Sequence, residues 1–155
     1  MKFTKFLAAV ALPFLLLTAA GMVNAADRGT AAEAKAMLEK AVAAVKADPA
    51  KALAAFTADA KAKDGDFFSK DLYVYCGGPD GNFTAHPTLV GKTMKGLMDK
   101  ANPPYAVGED FYKVAAAGGG EVAYQWPQPG ATEAQKKVAI VAKAGDQVCA
   151  VGYYP

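Results

Sequence analysis

The alanine- and lysine-rich segment at residues 28–62 places its apolar side chains at helical spacing. These side chains are Ala34, Met37, Leu38, Ala41, Val42 and Val45 in its first half, and Leu53 and Phe56 in its second. A helix with one apolar face must bury that face against another element, so the chain must also supply a partner surface. Thr30 and Glu33 have the spacing of a capping box, which predicts a helix start there. Asp48-Pro49 predicts a break, because aspartate caps helices and proline suits the first helical position.

The composition changes at Asp64-Gly65-Asp66, after which short β-branched and aromatic runs alternate with glycine- and proline-rich turns. These runs predict strands at residues 72–76, 82–85, 121–126, 136–143 and 147–154, and the intervening sequence predicts short helices at 94–99 and 111–117. Helices followed by interrupted runs of strands indicate an α+β fold with one antiparallel sheet of about five strands.

Residues 1–25 have the features of a secretory signal peptide. Lys2 and Lys5 precede a dense apolar run at residues 6–17, with no acidic residue among them. Val23-Asn24-Ala25 then fits the small-residue cleavage site that follows such a run. We therefore expect the mature chain to begin at Ala26.

Cleavage would leave a single domain, residues 26–155, in the periplasm or outside the cell. That domain carries 15 basic and 15 acidic residues, because both surplus positive charges lie in the signal. A chain of zero net charge lacks the basic footprint of nucleic-acid binding. The alternative is an uncleaved anchor, since residues 7–23 approach the roughly 20 apolar residues that span a bilayer. No later run has that length, so no stable membrane insertion is expected after cleavage.

The two cysteines, Cys76 and Cys149, each fall in a predicted strand. An even number of cysteines in an exported chain suggests a disulfide bond, here closing a loop of about seventy residues. The alternative is a pair of buried thiols that pack as small apolar side chains. The sequence does not show whether the two strands are neighbours, so both interpretations stay open. No Cys-x-x-Cys motif is present, and no redox or haem site is predicted.

His86 is the only histidine, which excludes multi-histidine zinc sites and leaves any catalytic triad dependent on this residue. Ser69, the only serine, lacks the glycines of a nucleophile elbow, and Gly118–Gly120 precedes a strand rather than opening a helix. We therefore predict no metal, no cofactor and no enzymatic activity. A cysteine nucleophile paired with His86 is the open alternative. The imidazole could also bind a carboxylate or hold its own loop.

Tyr124 and Trp126 fall on one face of a predicted strand, and each carries a hydrogen-bond donor. They could line a small polar pocket or pack in the core against the N-terminal helix. Lys136 and Lys137 begin the next predicted strand. One of these lysines could neutralise a bound carboxylate, whereas a solvated pair is the more usual meaning of such a dipeptide.

An ordered set of motifs resembles the single Cache domain, type 2. The set comprises Asp71-Leu-Tyr-Val-Tyr, residues 79–87, Leu89-Val90-Gly91-Lys92, Asp99, residues 118–121, residues 124–130, Lys136-Lys137-Val138 and residues 151–154. The match covers about residues 30–154. Each motif is weak alone, whereas their order is specific. The resemblance implies a long N-terminal helix against a PAS-like antiparallel sheet with a ligand pocket on one face.

The resemblance also implies extracytoplasmic recognition of small molecules, often short organic acids. By the same resemblance, Tyr124 and Trp126 would line the pocket, His86 would lie near its rim, and Lys137 would be a partner for a carboxylate. The strand of Tyr75 faces either the pocket or the core, and the resemblance does not decide between them.

Receptor Cache domains are generally followed by a transmembrane helix and a signalling module, whereas this sequence ends at Pro155. We therefore expect a freestanding exported protein that binds a small carboxylate-type ligand. A membrane receptor or transporter would be the partner to which it delivers that ligand. The alternative is a periplasmic interaction or regulatory subunit that uses the fold without a small ligand, with the long N-terminal helix as its docking surface.

Overall fold

The computed structural model describes residues 28–155, so the predicted signal peptide lies outside the described residues. The elements are α1 (Ala31–Ala47), α2 (Pro49–Ala62), β1 (Phe68–Ser69), β2 (Leu72–Gly77), β3 (Phe83–Ala85), α3 (Val107–Ala116), β4 (Gly120–Pro127), β5 (Ala134–Ala144) and β6 (Gln147–Tyr153). This arrangement confirms the predicted α+β class. No helix within residues 28–155 combines the length and the apolar content needed to cross a bilayer.

The N-terminal helix forms with the predicted capping box and the predicted break. Thr30 Oγ1 accepts a hydrogen bond from the Glu33 amide at 3.2 Å, and Glu33 Oε2 accepts one from the Thr30 amide at 2.8 Å. Asp48 ends α1, and its carboxylate accepts from the Lys51 amide at 3.1 Å to start α2. Each cap satisfies amides that have no partner inside the helix.

The sheet is antiparallel, with strand order β1-β2-β6-β5-β4 and with β3 paired to β2 outside this path. It has six strands rather than about five, because β1 is only two residues long and shows no periodic pattern in the sequence. The pairing of β2 with β6 places Cys76 directly opposite Cys149. The two sulfurs are 2.07 Å apart, so the cysteines form the disulfide bond and are not free thiols.

Both faces of the sheet are covered, and strand alternation separates their side chains. One face packs against α1 and α2 through residues that include Val74, Cys76 and Val151. The opposite face packs against α3 through residues that include Tyr75 and Tyr124. We call this second surface the α3 face, and it carries the candidate site.

The one-turn helix predicted at residues 94–99 is absent, and this prediction was wrong. The amides of Met94 and Lys95 instead donate to the Gly81 carbonyl at 2.8 and 2.9 Å, which binds the segment to the turn before β3. The helix predicted at residues 111–117 does form as α3, but it begins earlier, at Val107. Gly108 belongs to its first turn, where a side chain would collide with the Met94 carbonyl oxygen.

Candidate ligand-binding site

A small space on the α3 face, which we call the inner pocket, lies among aromatic side chains. Four of the five residues predicted for the site line it, namely Tyr75, His86, Tyr124 and Trp126. Its free volume is about 10 Å³, which admits about one water-sized group. Tyr75 therefore lies on the pocket side of its strand, which settles the orientation that the sequence left open.

The inner pocket has room because the strands beneath it carry small residues on this face. Ala150 of β6 pairs with Tyr75 of β2 on one side and with Val141 of β5 on the other, while Ala139 of β5 pairs with Gly152 of β6. Large aromatic side chains on β2 and β4 can therefore extend across the small residues of β6 and β5, which lie between these two strands. This arrangement lets side chains from β2 and β4 meet across two intervening strands.

The hydroxyls of Tyr75 and Tyr124 meet in this way, with their oxygens 3.2 Å apart. One hydroxyl donates to the other, so the accepting hydroxyl keeps a proton that it can donate elsewhere. Within residues 28–155, neither hydroxyl has a second hydrogen-bond partner. Burial raises the pKa of both hydroxyls well above the usual range, so both stay protonated. The pair therefore offers one hydrogen-bond donor at the inner pocket.

His86 holds its own loop with one ring nitrogen and leaves the other available. Its Nδ1 lies 3.0 Å from the Thr88 amide and 3.1 Å from the Leu89 amide, and it accepts from both. An accepting Nδ1 assigns the proton of the neutral ring to Nε2. Burial, with a smaller contribution from the charge of Lys137, lowers the pKa of His86 to about 4. The ring is therefore neutral near pH 7 and has an Nε2–H donor.

Lys137, the fifth predicted site residue, lies on the same face but does not line the inner pocket. It is paired with Tyr124 in the β4–β5 ladder, and only 1% of its surface is exposed. Its Nζ lies 4.9 Å from the ring centroid of Tyr73 and 5.0 Å from that of Tyr154. Among residues 28–155 it forms no ion pair. A buried cation thus lies against Tyr73, whose ring does line the pocket.

Two opposing effects determine the pKa of Lys137. Burial lowers its pKa to about 8, and the negative charge of Asp71 partly opposes that shift. The ammonium form therefore predominates at neutral pH, although it is disfavoured by the apolar surroundings. Lys136, the neighbouring residue, is exposed.

Beside the inner pocket lies a larger space of about 400 Å³, which we call the outer cleft. Tyr73, His86, Leu89 and Trp126 line both spaces and so form the boundary between them. The remaining walls of the outer cleft come from the end of α2, from β1, and from two loops at residues 87–89 and 127–130.

Asp99, a residue of the resembling motif set, fixes the strand that carries Tyr124 and Trp126. Its Oδ2 accepts a hydrogen bond from the Gln125 amide at 2.9 Å. Its Oδ1 accepts from the amides of Ala101 and Tyr105 at 3.0 and 2.8 Å. The buried carboxylate therefore joins the loop before α3 to β4 and serves the geometry of the pocket rather than its chemistry.

Sequence reasoning missed the apolar part of the lining, which is Phe83, Leu89, Leu97 and Phe111. Such residues carry no chemical signal that would distinguish pocket lining from ordinary core. The alternative of a cysteine nucleophile paired with His86 is excluded, because both thiols are consumed in the disulfide.

The burial of His86 makes the free energy of unfolding depend on pH. Its pKa is about 4 in the folded protein and near 6.5 when unfolded, so the unfolded chain binds more protons in acid. Wild-type stability should fall as pH drops from 6.5 through 4, with a loss of about 3 kcal/mol below that range. In His86→Asn, the side-chain oxygen can still accept hydrogen bonds from the loop amides. This variant should therefore lose the part of the pH dependence of the unfolding free energy that comes from His86. Urea unfolding of both proteins at pH 7, 5.5 and 4.5 measures it, and parallel profiles would refute the assignment.

A six-stranded antiparallel sheet with a long N-terminal helix on one face and an aromatic pocket on the other defines a PAS-like ligand-binding domain. A family model described as Single Cache domain 2 matches residues 21–152, and the chain belongs to this family. Cache domains are sensory ligand-binding modules. No curated protein matches the sequence.

Solved structures show the same fold. A methyl-accepting chemotaxis protein from Vibrio parahaemolyticus RIMD 2210633 is 23% identical, with a TM-score of 0.61 over 79% of this chain and 86% of its own. A structure described as the periplasmic sensor domain of a chemotaxis protein is 23% identical, with a TM-score of 0.56 over 77% and 86%. A third, described as the structural basis for carboxylic acid recognition by a Cache chemosensory domain, is 25% identical, with a TM-score of 0.55 over 77% and 84%.

Proposed function

We propose that this chain is an exported protein that reversibly binds a small molecule through its carboxylate at the inner pocket. The observation that carries the proposal is that the lining residues carry hydrogen-bond donors and no negative charge. The donors that we assign to the ligand are the spare hydroxyl proton of the Tyr75–Tyr124 pair, the Nε2–H of His86 and the indole N–H of Trp126. No acidic residue lines the inner pocket. A carboxylate has only acceptors and therefore complements this set.

Lys137 supplies the positive charge from behind the ring of Tyr73. Its charge influences the pocket, because it contributes to the lowered pKa of His86. A carboxylate that accepts hydrogen bonds in apolar surroundings gains about 1.5–3 kcal/mol from each. The aromatic walls strengthen these bonds by excluding water.

The comparisons support the same ligand class and an extracytoplasmic location. The structure described as carboxylic acid recognition shares 25% identity with this chain, and another neighbour is described as a periplasmic sensor domain. The predicted signal peptide agrees with a periplasmic or secreted protein. A membrane receptor or transporter is then the partner through which binding would be reported.

Titration of the full chain with acids and with their amides tests the proposal. Carboxylic acids should raise the melting temperature and release or absorb heat in calorimetry, because ligands that bind only the folded state stabilise it. The matched amides, which lack the negative charge, should not. If no acid shifts the melting temperature while an exported protein is captured without any ligand, the chain is an interaction subunit instead.

Tyr75→Phe/Tyr124→Phe should weaken acid binding by at least tenfold, because it removes both hydroxyls of the donor pair but keeps the rings. The matched control is Tyr153→Phe, since Tyr153 packs on the opposite face of the sheet, against the N-terminal helices. Calorimetric dissociation constants for acetate and for larger acids measure both effects. Equal losses in the double variant and the control would show that the hydroxyls of Tyr75 and Tyr124 have no specific role.

A further inference from the structure

The inner pocket and the outer cleft differ greatly in volume, at about 10 Å³ and about 400 Å³. Protein sites for small molecules usually enclose about 300–1,000 Å³. Of these two spaces, the outer cleft reaches that range and the inner pocket does not. A ligand that fits the folded chain as it stands can therefore place a small group at the inner pocket, while the rest of its atoms occupy the outer cleft.

The walls of the outer cleft are suited to a flat apolar group. Two prolines of one loop, Pro127 and Pro129, contribute rigid walls, and the rings of Phe68, Tyr73 and Trp126 add aromatic surface. Aromatic rings bury large apolar areas and pack favourably edge to face or in offset stacks.

The charges that line the outer cleft also favour an uncharged group there. Lys63, at the end of α2, is the only charged residue in its lining, and no acidic residue lines it. The cleft therefore lacks the carboxylate that would pair with the ammonium group of an amino acid. A ligand with a carboxylate for the inner pocket and an uncharged group for the outer cleft would therefore complement both spaces.

We propose that the ligand is an aromatic carboxylic acid, with its carboxylate at the inner pocket and its ring in the outer cleft. This inference rests on the proposed function and narrows it. The four residues that line both spaces define the passage that the bond between ring and carboxylate would follow.

Calorimetry of the full chain with phenylacetate, acetate and phenylacetamide tests the inference. Phenylacetate should bind at least tenfold more tightly than acetate, because only phenylacetate buries a ring in the outer cleft. Phenylacetamide should bind at least tenfold more weakly than phenylacetate, because it lacks the charge.

A bulky side chain introduced at the outer cleft provides a second test, by mutation. Thr88 is exposed and lines the outer cleft but not the inner pocket, so Thr88→Trp should weaken phenylacetate binding at least tenfold, and by a larger factor than it weakens acetate binding. Thr88→Leu should weaken phenylacetate binding by a smaller factor. Val90→Trp is the matched control, because Val90 is an exposed residue of the same loop that lines neither space.

The outcomes separate this inference from the proposed function. If acetate binds as tightly as phenylacetate and both Thr88 variants leave the two affinities unchanged, the aromatic assignment is overturned and carboxylate binding stands. If phenylacetamide binds as tightly as phenylacetate, the carboxylate assignment falls and the inference falls with it. If no acid of either kind binds, both are overturned.

Discussion

Lys137→Met should raise the melting temperature of the ligand-free protein and weaken carboxylate binding by about 30- to 100-fold. The gain in stability follows from burial: the lysine is 1% exposed, forms no ion pair within residues 28–155, and has a pKa lowered to about 8. Replacing such a charge with an apolar side chain of similar length is expected to stabilise the fold by about 1–3 kcal/mol.

The loss of affinity in Lys137→Met has an electrostatic origin. Nζ lies 4.9 Å from the centroid of the Tyr73 ring, which lines the inner pocket. For a carboxylate on the other side of that ring, a separation of about 6–8 Å and an effective dielectric constant of about 20 correspond to an attraction of about 2–3 kcal/mol. Calorimetry at pH 7 measures this loss. The opposite signs of the two effects matter, because a substitution that merely damaged the fold would lower both stability and affinity.

The pH dependence of stability gives a second measure of Lys137. Its pKa is about 8 in the folded protein against 10.5 for the ordinary side chain, so the unfolded chain binds more protons between these two pH values. Wild-type stability should therefore rise between pH 8 and pH 10, and Lys137→Met should lose this rise. Lys136→Met, at the exposed neighbour, should behave as wild type in every assay. A lower melting temperature for Lys137→Met at pH 7 would show that the charge is compensated in the folded state.

Cys76→Ala/Cys149→Ala should lower the free energy of unfolding by about 4 kcal/mol. The two cysteines are 73 residues apart, and in the chain-entropy model a bond that closes a loop of this size stabilises the fold by about that amount. Both side chains are fully buried between the sheet and the N-terminal helices, so the loss of two sulfur atoms also reduces packing.

Urea unfolding measures the effect of the disulfide in three samples. The wild type refolded with a reductant should approach the double variant, because both lack the bond, and the oxidised wild type should unfold at a clearly higher urea concentration. The reduced wild type keeps both sulfur atoms but lacks the bond. Its difference from the oxidised wild type therefore measures the effect of the bond, and its difference from the double variant measures the effect of packing. Equal midpoints for all three would refute a stabilising role.

Local signals in the sequence were sufficient for much of the fold. The start of α1 and the break between α1 and α2 are fixed by hydrogen bonds from backbone amides to the nearby side chains of Thr30, Glu33 and Asp48. Because these bonds are local, the residue types alone were enough to predict both positions. The segment at residues 94–99 could not be predicted in the same way. Its amides bond to Gly81, more than ten residues earlier, and no local propensity carries that information.

The candidate site was predictable to the extent that its residues carry donors or charge. Tyr124, Trp126 and His86, which the resemblance assigned to a pocket, meet at the inner pocket. They are joined there by Tyr75, whose side of the sheet the resemblance left open. The distance of Lys137 from the pocket was not predictable, because the ring that covers its ammonium group comes from a different strand. The size of the outer cleft also depends on how the end of α2 and two loops approach one another in three dimensions.

The position of β6 has a consequence for the order of events during synthesis. This strand, Gln147–Tyr153, lies between β2 and β5, and it carries the cysteine that bonds to Cys76. A nascent chain that has not reached residue 147 therefore has β2 and β5 without their common neighbour. The sheet that carries the pocket therefore closes only when the last strand is present.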